Sequence, residues 1–531
     1  MTRQYFAPLV IMLAVCALYG SFVYNPIVFD DQYFFLPGVP EQYLALDGLY
    51  PRHLAHMTLA LSWKWFGSSL LAFRLEGIAL HAAVAIVLYY FLCEIQTCLV
   101  PDIGRRLSLL PCLLALIFAL HPVSVYAAAY LIQRTIVMAT LFALLSWTCF
   151  LRGLRSGQER WIWCSVAAYA LAGLSKETVV MAPAVSVTLA LWWWRSQTNR
   201  CSLGQLIWGL RWFLVVSGII AVLLSLSQWG VIGRSYEFGV ERVTSVELPA
   251  HAWMLSVITQ GMLFFKYLVL WILPNPLWMS VDMRETFATS ITAWPQLVGF
   301  AAFLLWLMVG CVLLWQGKRR GLVGFAMLAP TALFATELVA VRYLEVFVLY
   351  RSYLWAAPGF AGALVIDQWI RDKAIISMIV IIPLCLSVLA WNRLMTFSNP
   401  LLLWDDAASL IDGKDGVVLA ERIYRNRGIS LAKFGKLEMA IQDYSKAIQN
   451  RPDYSYAYND RGAALLRMGR NADALLDFDR AISLDADYPN SQAGRGAALE
   501  AMKRMSEAKD AYMTACQLGW KAACLKVASL K

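Results

Sequence analysis

Two adjacent carboxylates, Asp30 and Asp31, follow directly on the first long apolar run of the chain, Leu9 to Val23. A charged group is costly where the dielectric falls, so acids at the mouth of a membrane helix tend to mark function rather than stability. More polar residues stand at the ends of later apolar runs. His81 lies within the second, His121 follows the third, and Arg134 begins the fourth. Lys176 and Glu177 follow the fifth, and Glu345 and Arg351 precede the tenth. Gathered on one face, these residues supply acids able to take a proton from a hydroxyl nucleophile. They also supply cations able to hold a phosphate and stabilise it as it leaves. That combination suits glycosyl transfer from a lipid-phosphate sugar. Sugar nucleotides stay in the cytosol, so a site on the outer face needs a lipid-linked donor.

Each residue also has a plainer reading. Asp30 can cap a following helix, a position Asp favours. His81 can be a hydrogen-bonded core residue, and His121, before Pro122, can simply end a span. Lys176 and Glu177 can form an interfacial charge pair, and Arg351 can anchor a span. Arg52, His53 and His56 can be the wet face of an amphipathic helix; no third ligand stands near the two histidines, so metal spacing is absent. The Asp30–Asp31 pair can bind Mg²⁺ or Mn²⁺, although adjacent residues of an extended segment point to opposite sides. No other cofactor is called for.

These residues need a membrane scaffold. Of the 531 residues, 60% are hydrophobic and 15% charged, against about a quarter charged in soluble domains. The chain therefore reads as a polytopic membrane protein with a more polar part attached. Its formal charge of +10 comes largely from short Arg/Lys clusters between apolar runs, the pattern of cytoplasmic loops. No basic stripe interleaved with aromatics occurs, which excludes nucleic-acid binding. The 22 Trp and 23 Tyr suit interface belts. The first run, about Ala7 to Tyr24, reads as an uncleaved signal anchor. Alternation of basic turns at 101–106, 152–160, 195–211, 318–320 and 371–373 gives about eleven spans, N-terminus inside and C-terminus outside. The stretch Trp253–Leu273, interrupted by Gly261 and Lys266, is read as re-entrant or interfacial, because a full crossing would put Lys318–Arg320 outside. A loop at 227–251 is external.

Composition changes near Pro400, leaving a membrane domain over 1–400, a linker over 401–418 and a soluble helical domain over 419–531. There Arg427-Gly428, Leu431, Gly435, Ala440, Tyr444 and Ala447 recur 34 residues later as Arg461-Gly462, Leu465, Gly469, Ala474, Phe478 and Ala481. A weaker third copy begins at Arg495-Gly496. Thirty-four is the tetratricopeptide (TPR) period, and Trp520–Leu530 would cap the exposed face of the last repeat. The fold class is therefore all-α, a polytopic helical domain plus an α-solenoid. Most of the 11 cysteines lie in apolar runs as small buried hydrophobes. Cys516 and Cys524 can either bridge, if the compartment is oxidising, or stay buried thiols.

Taken in order, these motifs resemble the transmembrane-and-TPR O-mannosyltransferases and their bacterial relatives, in the GT-C class of membrane glycosyltransferases. The resemblance covers nearly the whole chain. It is carried by Phe29-Asp30-Asp31, Arg52–Leu61 with His81, His121-Pro122-Val123 through Gln133-Arg134, Leu174–Thr178 with Pro183, and Glu345 with Tyr350-Arg351-Ser352-Tyr353-Leu354. His53 stands where the family usually has Pro, Gly77 where it has Asn, and Tyr126 where many members have Glu. The resemblance implies that Asp30 is the acceptor-side base and Asp31 its partner. Arg134, Lys176 and Arg351 would hold the donor phosphate, with Glu177 and Glu345 orienting them or the sugar. Arg52, His81, His121 and Tyr353 join the implied substrate-binding set. The function so implied is inverting transfer of a sugar from a polyprenyl-phosphate donor to Ser/Thr hydroxyls of an exported protein such as a pilin. It would take place at the outer face of a bacterial inner membrane, with the periplasmic repeats recruiting the acceptor. Two alternatives are the same chemistry on a lipid or envelope polysaccharide, and a non-enzymatic scaffold whose repeats assemble an envelope complex.

Overall fold

The computed structural model describes residues 6–45, 51–99, 109–198, 201–231, 234, 248–368, 373–414 and 417–530; among these the chain is helical and forms no strand. The basic turn at 101–106, Arg200, much of the loop 227–251, and Arg371 and Asp372 lie outside the described residues. Two units are formed: Met1–Val281 with Phe287–Ser398, and Asp282–Thr286 with Asn399–Lys531.

Six described helices are long and apolar enough to cross a bilayer, or up to nine if each of three bent pairs is one span. The sequence count of about eleven also includes shorter segments. Phe6–Phe22 is a short apolar helix, and Glu159–Ser175 has 17 residues. The stretch read as the span Tyr353–Ile366 is an α-helix, Ser352–Gly359, continuing as a 3₁₀-helix, Phe360–Gln368. Pro358 has no N–H to extend the α-helical ladder. A 3₁₀-helix rises about 2.0 Å per residue, against about 1.5 Å in an α-helix. The tighter winding carries the chain far in few residues, from Arg351 to Val365, whose carbonyl accepts a hydrogen bond from Arg319.

The interruption expected in Trp253–Leu273 is absent. Ala252–Ile272 is one helix of 21 residues. Gly261 serves close packing there: a Cβ on it would lie 2.7 Å from the Phe300 ring of the neighbouring helix Gln296–Gln316. The Lys266 ammonium sits 5.0 Å from the centre of the Phe347 ring. The helix runs alongside the segment 338–352. Trp253 donates to the Leu338 carbonyl at one end, Gln260 to Val346 in the middle, and Trp271 to the Ser352 hydroxyl at the other end. This packing holds the segment that carries Arg342, Glu345 and Arg351.

In the second unit, the stretch read as a linker carries the helix Pro400–Ile411. Asn399 caps it by accepting from the Leu401 N–H, and Pro400 supplies the preset φ of a first helical position. Leu403, Trp404, Ala407 and Ile411 are buried on one face. Three helix pairs follow, Ala420–Lys433 with Leu437–Asn450, Ser455–Arg467 with Asn471–Leu484, and Pro489–Ala501 with Met505–Gln517, then Lys521–Ser529. A Cβ on Gly428, Gly462 or Gly496 would crowd Tyr444, Phe478 or Tyr512, so the repeated glycine is what lets each pair close over its aromatic. Arg427 clasps Asp443 at 2.7 and 2.8 Å, and Arg461 clasps Asp477 at 2.8 Å through both nitrogens. The third copy has Ala511 where that acid recurs, and Arg495 turns back to Asp479 at 2.7 Å. The turn between helices is left-handed in all three copies: Gly435 at φ +76°, Gly469 at +77° and Lys503 at +62°. Cys516 and Cys524 form a disulfide, with Cα atoms 4.9 Å apart, that ties the last repeat helix to the terminal one.

Candidate functional site

The two acids that open the site part company at once. Phe29 adopts φ +52°, a left-handed turn of the backbone, and the next N–H, that of Asp30, donates to the Tyr130 hydroxyl at 2.9 Å. Asp30 begins the short helix Asp31–Phe34 without accepting a capping hydrogen bond. Its side chain is exposed and lines a cavity of about 220 Å³. Asp31 points the other way and is buried. Its carboxylate accepts the N–H groups of Leu131 and Ile132 at 3.2 and 2.9 Å, which fixes the turn leading into the helix Arg134–Ser156. Burial pushes the Asp31 carboxyl up to about 7, against the opposing effects of Arg74 and those two N–H donors. Arg74, buried behind it, donates to the carbonyls of Ala129 and Pro26.

Around the same cavity stand Arg52, Lys176, Glu177, Glu345 and Arg351, together with Gln133, Glu337, Arg342 and Tyr350. Arg52 grips both oxygens of Glu177, at 2.5 and 2.9 Å. Arg351 reaches Glu345 at 2.8 Å and Glu337 at 3.0 Å. Glu337 also forms an ion pair with Arg342, 2.9 Å away, so one buried carboxylate faces two guanidiniums. Lys176 differs. It is buried, and its ammonium is held by neutral oxygens only, Gln133 at 3.2 Å and Thr135 at 3.4 Å, with the Tyr350 ring centre 5.0 Å away. No carboxylate lies within ion-pair distance of it among the described residues. Burial, and then repulsion from Arg52, push its amine down to about 7. Burial likewise pushes His56 down to about 4, so that ring is neutral near pH 7.

A second cavity of about 350 Å³ adjoins the first. Glu177, Thr178 and Arg342 belong to both. Beyond them its wall turns apolar, with Val180, Met181, Leu224, Ala335 and Val339. The two spaces together suit a molecule with one charged end and one apolar end.

The structure places the other sequence candidates elsewhere. His81 is buried; its Nε2 donates to the Ala119 carbonyl at 2.9 Å, so its Nδ1 accepts from the Tyr353 hydroxyl at 2.7 Å. His121 caps the helix Pro122–Ala128, accepting from the Val123 N–H at 3.2 Å, and stacks on Trp271. Arg134 pairs with Glu76 at 2.7 Å and donates to Ser62 at 3.0 Å. None of Asp31, His81, His121, Arg134 and Tyr353 lines the cavity. Glu337 and Arg342 were not singled out by sequence. The signal for them was present, an acid near the end of an apolar run with an arginine following it. Among the described residues no three His, Cys, Asp or Glu side chains are gathered as a metal site.

With this geometry in hand, the chain can be set beside known proteins. A TPR repeat pattern matches residues 428–469. No curated protein matches the chain in sequence. Among solved structures, the first TPR of Spaghetti (RPAP3) bound to an HSP90 peptide is 26% identical, covering 21% of this chain and 89% of that one, with a TM-score of 0.20. The Arabidopsis OM64 TPR domain is 25% identical over 21% of this chain and 93% of its own, with a TM-score of 0.21. ArnT from Cupriavidus metallidurans, bound to undecaprenyl phosphate, is 13% identical over 96% of this chain and 80% of its own, with a TM-score of 0.33.

Proposed function

We propose that the chain is an integral-membrane glycosyltransferase of the GT-C class that takes a sugar from a polyprenyl-phosphate donor. The observation that carries this reading is the sharing of Glu177, Thr178 and Arg342 between a charged cavity and an apolar one. A lipid-phosphate sugar needs that division. Its chain would lie against Val180, Met181, Leu224 and Val339, and its phosphate would enter beside Lys176. That lysine has no carboxylate partner of its own among the described residues, so an incoming anion would complete its charge pairing. Asp30 is the exposed carboxylate of the cavity. It would take the proton from an acceptor hydroxyl as that oxygen bonds to the anomeric carbon. The bond from that carbon to the phosphate oxygen would break, and the phosphate would leave with the electron pair, held by Lys176. Attack from the face opposite the leaving phosphate inverts the anomeric centre.

The acceptor in this reading is a Ser or Thr hydroxyl of an exported protein, of which a pilin is one kind, recruited by the TPR unit. The unit's disulfide suits an oxidising compartment, in keeping with a bacterial inner-membrane protein whose repeats are periplasmic and whose N-terminus is cytoplasmic. Mass spectrometry of envelope proteins from cells with and without this chain tests the proposal. A glycan mass lost from a Ser/Thr peptide in its absence, and not restored by Asp30→Asn, is the expected result. An unchanged protein glycan profile with an altered envelope lipid or polysaccharide would move the acceptor to that class. Full restoration by Asp30→Asn would remove the proposed base.

A further inference from the structure

The helix from Glu177 to Ser196 has 20 residues, about 30 Å of length. Its first turn is at the cavity, and its last, with Arg195, is at the other end of the membrane unit. That end carries a third pocket. It is apolar, about 200 Å³, and opens between Phe150, Val187 and Leu191 on one side and Leu206, Leu210 and Phe213 on the other. The short helix Leu203–Gly209 forms one wall and is bent 62° from Arg211–Ser227, so it does not continue that helix's path. Its start is pinned by a Ser202–Gln205 capping box and by Trp194, which donates to the Cys201 carbonyl at 2.8 Å.

Two arginines lie next to lining residues of this pocket along the chain. Arg195 stands one turn beyond Leu191 on the same helix face, and Arg211 follows Leu210 directly. Arg195 donates to the Trp315 carbonyl at 2.6 Å and lies 4.6 Å from that ring's centre. Arg211 donates to the Trp208 carbonyl at 2.8 Å and lies 4.4 Å from its ring. Neither has a carboxylate partner among the described residues, and Trp208 is 68% exposed. Two guanidiniums with no carboxylate partner among the described residues, each backed by an indole and each near a residue of the apolar slot along its helix, are complementary to a phosphate joined to an acyl chain.

We infer that this pocket binds an anionic phospholipid, one acyl chain in the slot and the phosphate between Arg195 and Arg211. Native mass spectrometry of the full chain, offered equimolar phosphatidylglycerol and phosphatidylcholine of the same acyl chains, tests this independently of any transferase activity. The expected result is preferential retention of phosphatidylglycerol. It should fall about five-fold in Arg195→Gln and again in Arg211→Gln, since a basic residue near a charged lipid contributes about that factor. Ala190→Trp, which fills the slot, should reduce retention of both lipids. Equal retention of the two lipids by the unaltered chain overturns the inference, as does phosphatidylglycerol retention unchanged by both arginine substitutions. Retention undiminished in a monodisperse Ala190→Trp protein overturns the slot as the acyl site.

Discussion

The charges of the cavity and the charges of the repeats are arranged on opposite principles. In the first two repeats the equivalent arginines each clasp an aspartate, Arg427–Asp443 being reproduced as Arg461–Asp477 at the 34-residue step. Such pairs are complete without any other molecule. In the cavity the pairing is unequal. Glu337 serves two guanidiniums, Arg52 and Glu177 serve each other, and Lys176 is held by an amide, a hydroxyl and a ring. A buried cation without its own anion is expensive, and the proposed donor phosphate would supply that anion. In the repeats charge stabilises the fold; in the cavity, on the proposed function, it meets a ligand.

The sharpest way to break that distinction is Asp30→Asn. Loss of the proposed general base should lower transfer by roughly 10²- to 10⁴-fold, with melting unchanged because the side chain is exposed. The neighbouring Asp31→Asn should do the reverse. Two buried N–H groups would compete for one amide oxygen, and stability should fall by about 1–3 kcal/mol, read as a lower melting temperature. Lys176→Met comes next. Losing the proposed charge-assisted contact to the donor phosphate should raise the donor KM by about 10- to 100-fold. It should also remove a pH signature. With the folded amine near 7 and the unfolded one near about 10.4, the unfolded state binds the extra proton between those values. Stability should therefore rise with pH across that window in the unaltered chain, and donor binding should weaken as the lysine loses its charge. Both trends should flatten in the methionine variant.

On the repeat side, Cys516→Ser should lower the stability of the repeat unit by about 2 kcal/mol, as should reduction with dithiothreitol, without changing the chemical step. Lys503→Gly is the mildest test. Lysine holds φ +62° where the first two copies have glycine, and relief of that conformation should raise repeat stability by about 1 kcal/mol. A fall on this substitution would mean that the lysine side chain contributes more than its backbone costs.

Legibility in the sequence followed the same division. The repeated helices were readable in the sequence, because a 34-residue period samples one local geometry three times, whereas the helix Pro400–Ile411 lies in the stretch read as a linker. Even the weaker third copy declares itself, through Ala511 and Lys503 at the two positions where its pairing and its turn depart. In the membrane unit, hydropathy exposed the long helices. It could not foresee that Ala252–Ile272 stays continuous through Gly261, where Phe300 closes over the missing side chain. Nor could it foresee that Pro358 is accommodated by a change of winding. Those outcomes depend on what packs against the residue.

For this protein, the sequence by itself determined the residue types, the apolar segments, the repeat period and the presence of acids and cations at helix ends. These are properties of neighbouring residues along a chain. Only the tertiary structure decided which of those side chains meet. Asp30 and Asp31 are adjacent and face opposite ways; Asp30 and Arg351 are 321 positions apart and line one cavity. His81, His121, Arg134 and Tyr353 look alike in sequence to Lys176 and Arg351, yet a backbone carbonyl, Glu76 and one another engage three of them, and His121 accepts an N–H, away from that space. The physical reason is that a buried polar group must find a partner, and the partner's identity is set by helices that pack together from distant parts of the chain.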